Sequence, residues 1–321
     1  MSIAASDIIF YKAGANNDTA ANGGRISANE VVDGSLNNLF PNVSSAERTA
    51  GLTRYRKMFL RNKNAGDLAM YSGEVWISTR SLADDHCQLK AGTDTDVQTA
   101  AEGYTDWAGS GLLGAAAGSG ETSIEVDFDT NSGVWDGAPV HITDGVNSID
   151  RTVNGAPSWV GNKATITVSA ALGFNFSQTT TKVSAIVALG TVQKSTSGWV
   201  ETSGSGTYDE TTFPVVTYNV GTVTDSWTLT FTDSTNFSVS GANTGSVGSG
   251  DINTDFQPAN GSSYYFMIDK DGWGGSWAVG NTVTFNTVHA GKAIWAKETV
   301  PSGVASYSNN TAELTWRGES A

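Results

Sequence analysis

Three histidines, His86, His141 and His289, and one cysteine, Cys87, are the side chains of this sequence best suited to metal binding or proton transfer. None of the histidines sits in a ligand spacing such as HExxH. "DDHC", Asp84 to Cys87, sets four potential ligands in a row. Neighbours on a strand point to opposite faces, so no more than two of them share a site, and zinc takes three or four. A turn at a strand end is the expected reading. "DKDG", Asp269 to Gly272, has the opening of a calcium loop, but Trp273 stands where an acid is required and no Glu closes the loop. "DTD", Asp94 to Asp96, reads as a carboxylate pair in a polar turn. There is no GxSxG elbow, no phosphate-binding glycine loop and no dinucleotide fingerprint. With 32 acids in the chain, any two can be nominated as a glycosidase pair, so that signal has no specificity. We expect no enzyme activity, no metal and no cofactor. Trp273 and Trp277, in the loop "DGWGGSWAVG", offer a different chemistry, stacking on sugar rings. The favoured reading is that they cover the open end of a β core, with the stacking platform as its rival.

The elements that must position these residues are strands. The chain has 321 residues, 39% of them apolar and 16% charged, with 37 Gly, 6 Pro, 10 Trp, 9 Tyr and 12 Phe. Thr, Val and aromatics suit pleated surfaces, and Gly, Asn, Asp and Ser suit turns. Hydrophobic spacing is mostly two: Ile124, Val126 and Phe128; Val140 and Ile142; Ala164, Ile166 and Val168; Trp227, Leu229 and Phe231. The best helix start is Ser44 with Glu47 three residues on, a capping box that Gly51 limits to about two turns. No run of 18 apolar residues is present, so no membrane span is expected. The N-terminus has no basic region followed by an apolar one, so it does not read as a signal peptide. A lone cysteine allows no disulfide within a chain.

These patterns predict an all-β, multidomain protein of sandwich or barrel type with very little helix. Residues 1–110 are expected to form an N-terminal β assembly domain. Within it "RYRKMFLRNKNAGDLAMYSGEVWIST" reads as a hairpin turning at Asn62 to Gly66. The connector "GSGLLGAAAGSGETS" then leads to an inserted β module over 111–190. After a second loose stretch, "TSGSGTYDETT", residues 191–321 are expected to form a C-terminal β domain packing on the N-terminal part.

The segments "ASDIIFYKAGANNDTAANGGRIS", "SSAERTAGLTRYRKMFLRNK", "GTVTDSWTLTFTDSTNFSVSGANTGSVGSGDI" and "GKAIWAKETVPSGVASYSNNTAELTWRGES" resemble virion structural proteins of tailed bacteriophages. The middle module is similar to small β domains inserted into phage tail and decoration proteins. The resemblance implies a non-enzymatic assembly component of the virion, in the capsid decoration, the neck or collar, or the tail and baseplate. Its partners would be copies of itself and other virion proteins. The rival reading is a carbohydrate-binding adhesin with Trp273 and Trp277 as its platform.

One segment stands out by charge. The net charge is −14, yet six of the 18 Lys and Arg lie between Arg48 and Lys63. As a strand, "RYRKMFLR" puts Arg54, Arg56, Met58 and Leu60 on one face and Tyr55, Lys57, Phe59 and Arg61 on the other. Neither face is clean. Packaged nucleic acid would be repelled by the surrounding carboxylates, so it is an unlikely partner. Intrachain pairing with Glu47, Asp67 or Glu74 is a second reading. The preferred expectation is an intersubunit contact, with Arg54, Arg56 and Arg61 meeting a neighbour's carboxylates around Tyr55, Met58 and Phe59.

Overall fold

The computed structural model describes residues 2–178 and 180–320. Strands take 49% of the chain and helix 5%. The chain first lays down β1 (Ile8–Ala15), β2 (Gly23–Glu30), β3 (Leu52–Asn62), β4 (Met70–Thr79) and β5 (His86–Ala91). It leaves for β6 (Ser110–Leu113), β7 (Ser123–Phe128), β8 (Pro139–Thr143), β9 (Ser148–Thr152), β10 (Ser158–Val160), β11 (Lys163–Thr167) and β12 (Lys182–Ala185). It returns with β13 (Val187–Val192). A second excursion makes β14 (Ser195–Thr202), β15 (Ser205–Tyr208), β16 (Asp225–Phe231), β17 (Asn236–Gly241) and β18 (Gly245–Asp251). The same excursion continues through β19 (Ala259–Asn260), β20 (Ser263–Tyr264), β21 (Trp273–Ser276) and β22 (Thr282–Val288). The last strands, β23 (Gly291–Val300) and β24 (Glu313–Ser320), come back to the starting body.

That starting body, the base, is an antiparallel sandwich. One sheet runs β2-β1-β3-β23-β5 and the other β13-β4-β24. Met58, Leu60, Leu89 and Ile294 from the first sheet share a core with Met70, Val75, Ile77, Val187 and Val192 from the second. The predicted hairpin over 54–79 is therefore corrected: β3 pairs with β1 and β23, and β4 with β13 and β24. A hairpin would have kept both strands in one sheet. Arching between sheets lets their apolar faces bury one another. The arch is held by Asn62, whose amide donates to Leu68 O, and by Asn64, whose Oδ1 accepts from Gly66 N.

The first excursion forms one sheet, β10-β11-β7-β6-β12-β8-β9. A bridge between Val153 and Val168 joins the end of β9 to the end of β11 and closes most of that sheet into a barrel. The alternating residues point inward as the period of two requires: Ile124, Val126, Val140, Ile142, Ala164 and Ile166 are all buried in its core. The stretch that reads as a loose connector contains β6, which pairs with both β7 and β12. Its small residues have a packing reason, since a Cβ on Gly111 would lie 2.7 Å from Asp127 O.

The expected 191–321 domain is also corrected. Residues 195–288 build their own sheet, β14-β22-β16-β17-β18, around Trp227, Leu229, Phe231, Phe237, Phe266 and Phe285. Residues 291–320 belong to the base. β23 lies between β3 and β5, paired with β3 from Gly291 opposite Arg61 to Val300 opposite Leu52. Without it the base sheet is split. The second expected connector, near residue 205, contains β15 paired with β21. The one predicted helix, α1 (Ser45–Ala50), forms with its capping box: Glu47 N donates to Ser44 Oγ, and Ser44 N donates to Glu47 Oε2 at 2.6 Å. Gly51 ends it at φ 77°.

Candidate functional site

Both faces of β3 are covered, and its charged side chains find acids or backbone carbonyls within the chain. On the face toward the second sheet, Arg54 Nε donates to Glu298 Oε2 at 2.8 Å. The two residues sit directly opposite on neighbouring strands. Glu47 lies 4.0 Å from the same guanidinium. Burial pushes the Glu298 carboxyl up against the pull of Arg54. Arg56 pairs with Asp18 at 2.7 Å, donates to Asn17 O, and lies over the Phe40 ring. Met58 and Leu60 complete this face inside the sandwich core.

The opposite face is covered by the loop after β5 and by the second excursion. Tyr55 packs on Trp107, with ring centroids 5.7 Å apart. Phe59 is buried with Ala13 and Ala293. Arg61 Nη2 donates to Val220 O at 3.1 Å and Thr222 O at 2.9 Å, tying the base to the second excursion. The expected intersubunit contact through Arg54, Tyr55, Arg56, Met58, Phe59 and Arg61 is thus corrected. These side chains are buried or half-buried among residues of their own chain. The intrachain reading describes them better, though the main partners, Glu298, Asp18 and Asp96, are distant in sequence. Of the acids expected nearby, only Glu47 contributes; Asp67 faces Lys194, and Glu74 faces Arg317.

Lys57 is the most deeply placed of these charges. Its side chain has 0% exposure and its Nζ lies 2.5 Å from Asp96 Oδ1. Nζ also donates to Gly24 O at 2.7 Å and to Asp96 O at 3.0 Å. The other carboxylate oxygen, Oδ2, accepts from Trp295 Nε1 at 2.9 Å and from the Tyr104 hydroxyl at 2.5 Å. Two glycines make room for the indole: a Cβ on Gly23 would come within 2.6 Å of the Trp295 ring, and one on Gly92 within 2.8 Å. Gly23 also has φ +104°, which other residues rarely adopt. Nothing in the sequence joins Lys57 to Asp96. "DTD" reads as a polar turn, and only the return of β23 carries Trp295 to it.

Several of the other chemistry-bearing residues have structural partners. Asp94 faces His289 at 3.1 Å. Burial raises the Asp94 carboxyl, but His289 and Thr224 outweigh it and hold it at about 2. Within "DDHC", Asp85 accepts from Asn310, and burial pushes the Cys87 thiol up. In "DKDG", Asp269 caps the turn by accepting from Asp271 N, and Lys270 pairs with Asp271. Among the described residues no three His, Cys, Asp or Glu side chains form a metal-binding group. A cleft of about 210 Å³ between barrel and base is lined by Glu74, Asp150, Arg151 and Arg317. Arg317 spans it, pairing with Glu74 and Asp150 at 2.5 Å each. Trp76 of the base packs on His141 of the barrel beside it.

Of the two readings of Trp273 and Trp277, the core-closing one describes their surroundings and the stacking platform does not. Trp277 is 4% exposed and stacked on Phe231, with centroids 4.3 Å apart and planes 7° from parallel. A Cβ on Gly206 would lie 2.4 Å from its ring, so backbone closes against the indole there. Trp273 is half-buried, edge-on to Trp277 at 5.4 Å and to Tyr208 at 4.8 Å. Both close the aromatic core.

No family model and no curated protein matches the chain. Among solved structures, an alignment with VP17, a capsid protein of bacteriophage P23-77, covers 78% of this chain and 86% of that one, at 9% identity and a TM-score of 0.17. Alignments with vicilins of Solanum melongena and Solanum lycopersicum cover 96% and 95% of this chain and 87% of each vicilin, at 7% identity and TM-scores of 0.13. Overlaps at this level carry no argument about fold or function.

Proposed function

We propose that the chain is a non-enzymatic structural component of a tailed-bacteriophage virion that acts through subunit contacts. Its partners on this reading are copies of itself and other virion proteins, and its location is the particle. The reading starts from the resemblance of the segments quoted above. The observation that carries it is the way three bodies with separate cores are jointed. Arg61 ties the second excursion to the base, and Arg80 pairs with Asp129 of the barrel at 2.8 Å. Arg317 bridges Glu74 of the base and Asp150 of the barrel. Directional charged contacts of this kind fix orientation, as a repeated building block requires. The adhesin alternative has lost its platform, because Trp277 is covered.

The test is to isolate particles from infected cells and locate the chain. The expected result is fixed stoichiometry with other particle proteins and density for all three bodies by electron microscopy. Recovery of the chain only as a free protein, outside particles, overturns the proposal.

A further inference from the structure

The Lys57–Asp96 contact is arranged for more than an ion pair. The carboxylate oxygens have different surroundings. Oδ2 accepts two hydrogen bonds, from the Trp295 indole and the Tyr104 hydroxyl. Oδ1 lies 2.5 Å from Nζ but lacks any partner within hydrogen-bond angles among the described residues. The contact is close without being an aligned hydrogen bond. Two acceptors, Gly24 O and Asp96 O, hold two of the amine's N–H bonds. No other acceptor takes its third N–H among the described residues, and the carboxyl is the nearest charged group. The side chains are 0% and 6% exposed, and the Phe59 and Trp295 rings lie 5.0 and 5.8 Å from Nζ. Water is therefore excluded from the contact.

We propose that Lys57 and Asp96 condense to an intramolecular amide, cross-linking β3 to the loop that covers its outer face. The balance closes without a co-reactant. The ammonium gives one proton to Oδ1, leaving a neutral amine and a carboxylic acid. The Nζ lone pair attacks Cγ, and negative charge develops on Oδ2, where Tyr104 and Trp295 already donate. A second proton passes from nitrogen to Oδ1, the Cγ–Oδ1 bond breaks, and one water leaves. The product amide keeps one N–H for a backbone carbonyl. Burial lowers the Lys57 ammonium toward its neutral form; burial also raises the Asp96 carboxyl, but Lys57, Tyr104 and Trp295 outweigh it and keep it ionised. The first proton transfer is accordingly the uphill step. Removing both charges from a site without water relieves their desolvation, which favours the product. The bond would also supply a covalent tie that a chain with one cysteine cannot obtain from a disulfide.

The experiment is intact-mass measurement of the full chain, denatured and reduced, followed by peptide mapping. The expected mass is one water below that of the sequence. The map should show one branched peptide joining the Lys57 and Asp96 segments. Lys57→Arg should return the chain to its sequence mass. Tyr104→Phe, which keeps the ring and removes one donor to Oδ2, should leave a measurable uncross-linked fraction. A wild-type mass equal to the sequence, in fresh and aged protein alike, overturns the proposal. So does a water loss that maps elsewhere, such as a succinimide at an Asp-Gly step. The wild-type measurement decides the matter even if a variant fails to fold, and it is independent of any virion role.

Discussion

Arg54 and Glu298 are 244 residues apart in sequence and face each other on adjacent strands, Nε to Oε2 at 2.8 Å, with side chains 4% and 8% exposed. A strand from the beginning of the chain and one from its end are thus matched by charge inside the sandwich. The pair lies in the same register that sets Met58 opposite Ile294 in the core.

Breaking that pair from one side leaves a buried charge without its hydrogen-bonded partner. Glu298→Gln or Arg54→Met is expected to destabilise the chain by about 3–5 kcal/mol. The double variant Arg54→Met with Glu298→Leu should cost much less, because both charges are removed together. Denaturant unfolding of the three variants checks this. A double variant as unstable as the sum of the singles contradicts it.

Trp277→Ala removes a ring stacked on Phe231 and covered by backbone, so a loss of about 3–5 kcal/mol is expected. Trp273→Ala should cost less, since that side chain is only half-buried. Thermal unfolding of both variants tests the order. Wild-type stability in Trp277→Ala, with loss of binding on a glycan array, would restore the platform reading.

Asp94 gives the fold an acid dependence. Its carboxyl is held at about 2, below the ordinary 3.8. A depressed folded value contributes stability above the unfolded value, and that contribution is lost as pH falls from about 4 through about 2. The melting temperature should therefore drop across this window. Asp94→Asn should melt lower at neutral pH and show a shallower drop. Parallel pH profiles for the two proteins would exclude the role.

The barrel leaves and re-enters the base at one point. β6 and β12 are neighbours, with Gly111 opposite Val183, and such pairs have Cα atoms about 5 Å apart. Replacing residues 112–182 by an Asn-Gly turn should leave the base and second excursion soluble and cooperatively folded. The melting temperature should fall modestly, because Trp135 and the Arg80–Asp129 pair are lost. An insoluble product would mean that the barrel is needed to complete the base core.

The all-β class and several local features were legible in the sequence. Ile124, Val126 and Phe128 point into a core because a strand's period of two is a local property. Ser44 caps α1 because its partner, Glu47, is three residues away. The mixed faces of "RYRKMFLR" also gave true notice that this is no ordinary surface strand. Its partners were not legible. Lys57 is matched by Asp96 and Trp295, Arg54 by Glu298, and Arg61 by the carbonyls of Val220 and Thr222. An apparently exposed charge reads the same in sequence whether water or a distant carboxylate covers it.

The sequence by itself determined the alternating strands and the capped helix, because alternation and capping act within a few positions; β6, β15 and β21, which lie in stretches that read as connectors or loop, became strands only through their partners. Only the tertiary structure decided which strands pair. β3 could have closed a hairpin with β4 on local grounds, yet its neighbours are β1 and β23. The reason is that pairing is set by burial of whole faces. β23 fits between β3 and β5 with Ile294 in the sandwich core and Trp295 over the outer face, and that choice depends on side chains more than 190 residues away.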